Sequence, residues 1–96
     1  MNIEKKADGE EMTFVFTGWL DTQAAPVLDE AVKDLSDDVK SLVFDFGGVE
    51  YISSSGIRQL VAAHKKMGGN LKLLHVSADI LDVLNMTGVS KRLKIE

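Results

Sequence analysis

Two hydrophobic periods alternate along the chain. From Glu11 to Thr17, Met12, Phe14 and Phe16 alternate with Thr13, Val15 and Thr17, and in Val39 to Phe46, Leu42, Phe44 and Phe46 alternate with Val43 and Asp45. A period of two in such residues predicts strands, and the nearly continuous apolar run at Val39–Phe46 predicts a central one. Elsewhere the period lengthens. Ala24, Val27, Leu28, Ala31 and Leu35 trace one helical stripe. Pro26, the single proline, fits only a first turn and so puts that helix start a few residues upstream, with Asp21 and Thr22 as candidate caps. Ile57, Leu60, Val61 and His64 fall at i, i+3, i+4 and i+7, predicting a second helix from about Ser54 to Met67, stopped by Gly68-Gly69. Ser77 caps a third, with Ile80, Val83, Leu84 and Thr87 on one face and Gly88 at its end. Asn2–Lys6 reads as a first strand joined to the second by the turn Ala7-Asp8-Gly9-Glu10; Leu71–His75 and Leu93–Ile95 supply two more. The order β-β-α-β-α-β-α-β predicts an α/β fold, a mixed sheet covered by about three helices, in a single domain spanning 1–96.

Glycine punctuates this pattern. Gly18 is expected to end the second strand and Gly47-Gly48 the third, after which a short apolar step, Val49–Ile52, leads into Ser53, Ser54 and Ser55. The serines therefore sit at a helix N-terminus, where free backbone N–H groups and the helix dipole favour a side-chain oxygen and favour a phosphate still more. Capping accounts for one serine, and three exceed what a cap requires. Met12, Met67 and Met86 are read as core fillers, and Trp19, at the exit of the second strand, either fills the sheet end or lies exposed as a partner anchor.

The segment DFGGVEYISSSGIRQL resembles the signature of the STAS domain, the fold of bacterial anti-sigma factor antagonists: a strand ending in Asp, a loop, then (Asp or Ser)-Ser-Ser/Thr-Gly-Leu opening a helix. Gly18-Trp19-Leu20-Asp21 is similar to the family's Gly-x-Leu-Asp turn, and Leu84-Asn85-Met86-Thr87-Gly88-Val89 to its closing helix-to-glycine step. The resemblance implies a STAS-like mixed sheet and an antagonist that is not an enzyme. Unphosphorylated, it binds an anti-sigma factor that is also a serine kinase, releasing a sigma factor. Phosphorylation ends the complex, and a metal-dependent serine phosphatase restores it. The family's acceptor is the first hydroxyl after the Asp-or-Ser position, here Ser54. Many phosphorylated members carry Asp where this chain has Ser53, which leaves Ser53 and Ser55 as rival acceptors. Asp21, Asp45, Ser53, Ser55, Gly56, Ile57 and Arg58 are the implied partner-binding residues. Asp45 is expected either near the serine loop, orienting the acceptor hydroxyl or a metal-bound phosphate, or as a carboxylate satisfied by loop N–H groups. Gly56 is expected at the surface, letting backbone approach the partner. The alternative within the family is a non-phosphorylated accessory subunit of a lipid-transport ATPase.

Composition narrows the rest. With 96 residues, 45% hydrophobic and 27% charged, the chain has ordinary globular usage. It contains no cysteine and two histidines, which excludes disulfides and cysteine-based metal sites. A net charge of -4 argues against nucleic acid and for a protein partner. The charged N-terminal stretch is no signal peptide and no apolar run suits a membrane span, so a cytoplasmic location without membrane insertion is expected, as a monomer when free and with no cofactor. Catalysis finds no support in the spacing. The nucleophile elbow needs Gly two residues before the serine, His64 lies ten helical positions from Ser54, about 15 Å of rise, and no phosphate-binding loop follows either glycine pair.

Overall fold

The computed structural model describes all 96 residues. Strands β1 (Asn2–Asp8) and β2 (Glu11–Leu20) are followed by α1 (Ala25–Lys33), β3 (Ser41–Ile52), α2 (Ser54–Lys66), β4 (Leu71–Leu74), α3 (Ala78–Met86), a 3-10 turn (Val89–Lys91) and β5 (Lys94–Ile95). They form one sheet in the order β1-β2-β3-β4-β5, with β1 antiparallel to β2 and every other pair parallel. A mixed sheet with three helices is the α/β fold that the periodicity predicts.

Because the parallel strands follow one another in space as in sequence, three right-handed crossovers put α1, α2 and α3 on the same face. The core agrees: Leu28 of α1, Leu60 of α2 and Leu84 of α3 pack in one cluster with Phe14, Phe16, Phe44, Phe46 and Leu73. Phe16 meets Phe44 and Phe46 edge-on at 5.0 and 5.4 Å between ring centroids, so the central strands are locked by aromatic contacts as well as by their ladder.

The glycines do not end the strands as expected. β2 continues through Gly18 to Leu20, and β3 through Gly47-Gly48 to Ile52. Register explains this. Thr17 lies opposite Gly48 and Gly18 opposite Val49, with slips between Val15 and Thr17 and between Gly18 and Trp19. A Cβ on Gly48 would fall 2.6 Å from the Phe16 carbonyl oxygen, and Gly18 has φ +102°. These glycines make a bulged crossing that bends the strand pair while keeping it paired. The pair thereby extends past β4, whose ladder with β3 stops at Asp45–Leu74.

Other expectations shift with packing. α1 buries Ala25, Leu28, Ala31 and Val32, whereas Val27 is 51% exposed, because the buried stripe runs through the Leu28–Val32 pair. Ala24 is the N-cap of α1, without a side-chain cap. Asp21 caps the turn before it instead, its Oδ1 accepting from the Ala24 N–H at 3.0 Å. Met86 is exposed, not core, and Trp19 takes the exposed of its two expected places. No helix is long and apolar enough to cross a membrane.

Candidate functional site

The start of α2 is fastened to the end of β2. The Leu20 carbonyl accepts the Ser53 N–H at 2.9 Å, and a Cβ on Gly56 would lie 2.5 Å from that same oxygen. Only glycine therefore fits at position 56, which is buried under Leu20 and Ile52 and does not face a partner as expected. Ser53 has an extended backbone and is the N-cap, its Oγ accepting from the Gly56 N–H at 3.2 Å. Ile57 closes the first helical bond to the Ser53 carbonyl and is 8% exposed, a core residue whose side chain is not available at the surface.

The three serines thus differ. Ser53 is half-buried and committed to the cap, while Ser55 is half-buried with its Oγ 3.4 Å from Thr22 Oγ1 in the β2–α1 turn. Ser54, the first helical residue, is exposed, and its hydroxyl makes no hydrogen bond to protein. The first turn of α2 contains no acidic residue, so the positive end of its dipole is uncompensated there. Arg58, one turn on and exposed, borders an open groove with Thr22, Pro26, Asp29, Ser55 and Gln59. Thr22 brings the β2–α1 turn against this helix start, and the half-buried Asp21 braces that turn by accepting the Ala24 N–H.

Asp45 does not join this group. It lies opposite Val15, whereas Ile52 lies opposite Leu20, a separation of five strand positions or roughly 16 Å. Its Oδ1 accepts the Gly47 N–H at 3.0 Å and meets His75 Nδ1 at 2.9 Å. Partial burial pushes this carboxyl up, but the Gly47 amide and His75 outweigh it and hold the group below its usual value, with Lys6 adding to the effect. The loop N–H reading of Asp45 is therefore the one observed, and His75, at φ +57°, is the partner that spacing did not single out. His64 sits in the last turn of α2, away from the serines.

A second feature flanks the serine loop. Trp19 and Tyr51 are register partners, 57% and 48% exposed, with ring centroids 5.6 Å apart. The exposed place is one of the two that the sequence leaves open to Trp19, whereas no spacing singled out Tyr51.

Comparisons with known proteins agree with this fold. The chain is 28% identical over 92 residues to the anti-sigma-B factor antagonist of Bacillus subtilis (strain 168), covering 93% of this chain and 84% of that protein. Among solved structures, an anti-sigma factor antagonist from Mycobacterium paratuberculosis shares the fold with a TM-score of 0.86 at 22% identity, covering 98% of this chain and 83% of the other. The Bacillus cell fate determinant SpoIIAA in its phosphorylated form does so with a TM-score of 0.68 at 16% identity, over 99% and 91% of the two chains. The family model of the STAS domain matches residues 2–96, and the chain belongs to the STAS domain family.

Proposed function

We propose that this chain is an anti-sigma factor antagonist that works by partner switching. In its unphosphorylated form it binds an anti-sigma factor that is also a serine kinase, and so frees a sigma factor; the chain acts as a binding partner and not as a catalyst. Phosphorylation of Ser54 ends the complex, and a metal-dependent phosphatase returns the chain to its binding form. The observation that carries the reading is the state of the three hydroxyls: Ser54 alone is exposed and uncommitted, at a helix N-terminus. The similarity to the Bacillus subtilis anti-sigma-B factor antagonist supports the choice of partner class.

The sign of the switch follows from chemistry. A serine kinase holds its donor phosphates against the acceptor hydroxyl, so a new phosphate on Ser54 faces the nucleotide's own phosphates across the interface. A phosphoserine carries about -1.5 to -2 charges, and leaving it buried without a partner costs several kcal/mol, enough to weaken binding a hundredfold or more. Within the free domain the same group meets free N–H groups and a favourable dipole.

The test is incubation with the anti-sigma factor kinase of the same organism and ATP, followed by mapping of the phosphopeptide. Ser54→Ala abolishes labelling, while Ser53→Ala and Ser55→Ala retain it. Label that persists in Ser54→Ala and vanishes in Ser55→Ala moves the acceptor; no label in wild type removes the switch and favours a non-phosphorylated accessory role.

A further inference from the structure

We infer that Trp19 and Tyr51 form the anchoring surface for the same protein partner that reads Ser54, and that this surface takes an apolar side chain of that partner with a lysine or arginine beside it. The inference rests on the partner-switching reading above.

Four of the five large exposed hydrophobic side chains are grouped, Met86 on α3 being the exception. Of the large hydrophobics left in water, Met1, Trp19 and Val27 line one groove together with Asp21, Gln23 and Ala24, and Tyr51 stands beside Trp19. A tryptophan more than half exposed on a strand leaves a large apolar surface hydrated, and such surfaces mark contact sites. The two rings, tilted by 54°, support each other, so little side-chain freedom is lost when a partner covers them.

Continuity with the serine loop identifies the occupant. Trp19 and Tyr51 each precede a residue of the pair that holds the loop, Leu20 and Ile52, and the Leu20 carbonyl fixes the Ser53 N–H. Aromatic surface and acceptor hydroxyl therefore ride on one frame, and a protein large enough to hold Ser54 in a kinase site reaches both. Charge defines the chemistry of the contact. Asp21 lies in the groove, and the exposed Glu50, left without a register partner by the slip between Gly18 and Trp19, precedes Tyr51 in β3. The chain's own cation–π contact is elsewhere, Lys5 over Phe14, and Arg58 borders the separate groove beside Ser55. Aromatic faces flanked by carboxylates suit an apolar stem carrying a positive charge. This anchor is distinct from the switch: it serves the unphosphorylated complex, and Ser54 decides whether that complex persists.

Trp19 is the chain's single tryptophan, so 5-fluorotryptophan labelling gives one fluorine resonance for it. Titrated with the unlabelled kinase that phosphorylates Ser54, this resonance shifts and loses its solvent-isotope sensitivity. Trp19→Ala and Tyr51→Ala each weaken binding, Trp19→Ala on the order of 30-fold as a hot-spot aromatic, with melting temperatures within a few degrees of wild type. Ser54→Asp weakens binding separately, and its effect adds to that of Trp19→Ala. The inference is overturned, with the Ser54 reading intact, by a calorimetrically observed complex that leaves the fluorine resonance unmoved and in which both alanine variants bind like wild type. Glu50→Lys binding with unchanged affinity overturns the cationic part. A kinase that neither binds nor labels wild type overturns both readings.

Discussion

Helices α2 and α3 begin with the same cap and differ in everything that follows it. Ser53 Oγ accepts from the Gly56 N–H at 3.2 Å, and Ser77 Oγ from the Ile80 N–H at 3.3 Å. At α3 the cap is followed by Ala78 and Asp79, so the acid answers the helix dipole and no spare hydroxyl remains. At α2 it is followed by Ser54, Ser55 and Gly56, with no acid in the first turn. Capping accounts for Ser77 and Ser53 alike; it does not account for Ser54. The lead-ins differ too. α3 is approached through His75, tied to Asp45 by side chains, whereas α2 hangs on the backbone of β2 through Leu20 and the buried Gly56. One start is an ordinary structural cap, and the other is a rigidly mounted, uncompensated N-terminus with a free hydroxyl.

The largest effect that breaks this contrast is steric. Gly56→Val forces a branched side chain against the Leu20 carbonyl, where even a Cβ sits 2.5 Å away. It costs about 3–5 kcal/mol of folding stability by the scale of severe backbone and packing clashes, read in denaturant melts. A Gly56→Val protein that melts like wild type and loses only binding removes the rigid mount. Next come the caps: Ser53→Ala and Ser77→Ala each lower stability by about 1 kcal/mol, while Ser54→Ala lies within about 0.5 kcal/mol of wild type. A Ser54→Ala loss as large as that of Ser53→Ala would make Ser54 a structural residue.

The smallest effect is on pH dependence and concerns the α3 side. Asp45 has a folded-state pKa below its usual value, so the unfolded chain binds its proton more readily. Its contribution to stability is therefore present above the unfolded pKa near 4 and is lost as pH falls through the lower folded value. Melts followed from pH 7 down to about pH 3 show a shallower decline for Asp45→Asn than for wild type. Parallel declines would show that the Gly47 and His75 contacts contribute nothing.

Much of this was legible in the chain because local period and burial agree. Phe14 and Phe16, Leu42, Phe44 and Phe46, and the Ile57–Leu60 helix face all lie where alternation and spacing put them. The serine run is visible as an excess over capping. The rest depends on what lies across the sheet. Gly18 and Gly47-Gly48 read locally as stops, since glycine favours turns, and only the register of β2 against β3 turns them into a crossing. Asp45 and His75 are thirty positions apart and meet through the β3–β4 ladder, which no local spacing reveals. Val27 and Met86 are apolar and so look internal, and Trp19 reads either way, yet the folded chain leaves all three in water.

On the proposed switch, Ser54 controls binding without controlling folding. The most direct measurement prepares the chain phosphorylated at Ser54 and compares it with the unmodified chain, by calorimetric titration into the anti-sigma factor kinase loaded with nucleotide and by thermal melts. Partner switching predicts affinity lower by a hundredfold or more and a melting temperature changed by no more than a few degrees, the local dipole contribution being about 0.3–1 kcal/mol. A phosphorylated chain that binds as tightly as the unmodified one, or that melts far below it, would contradict it.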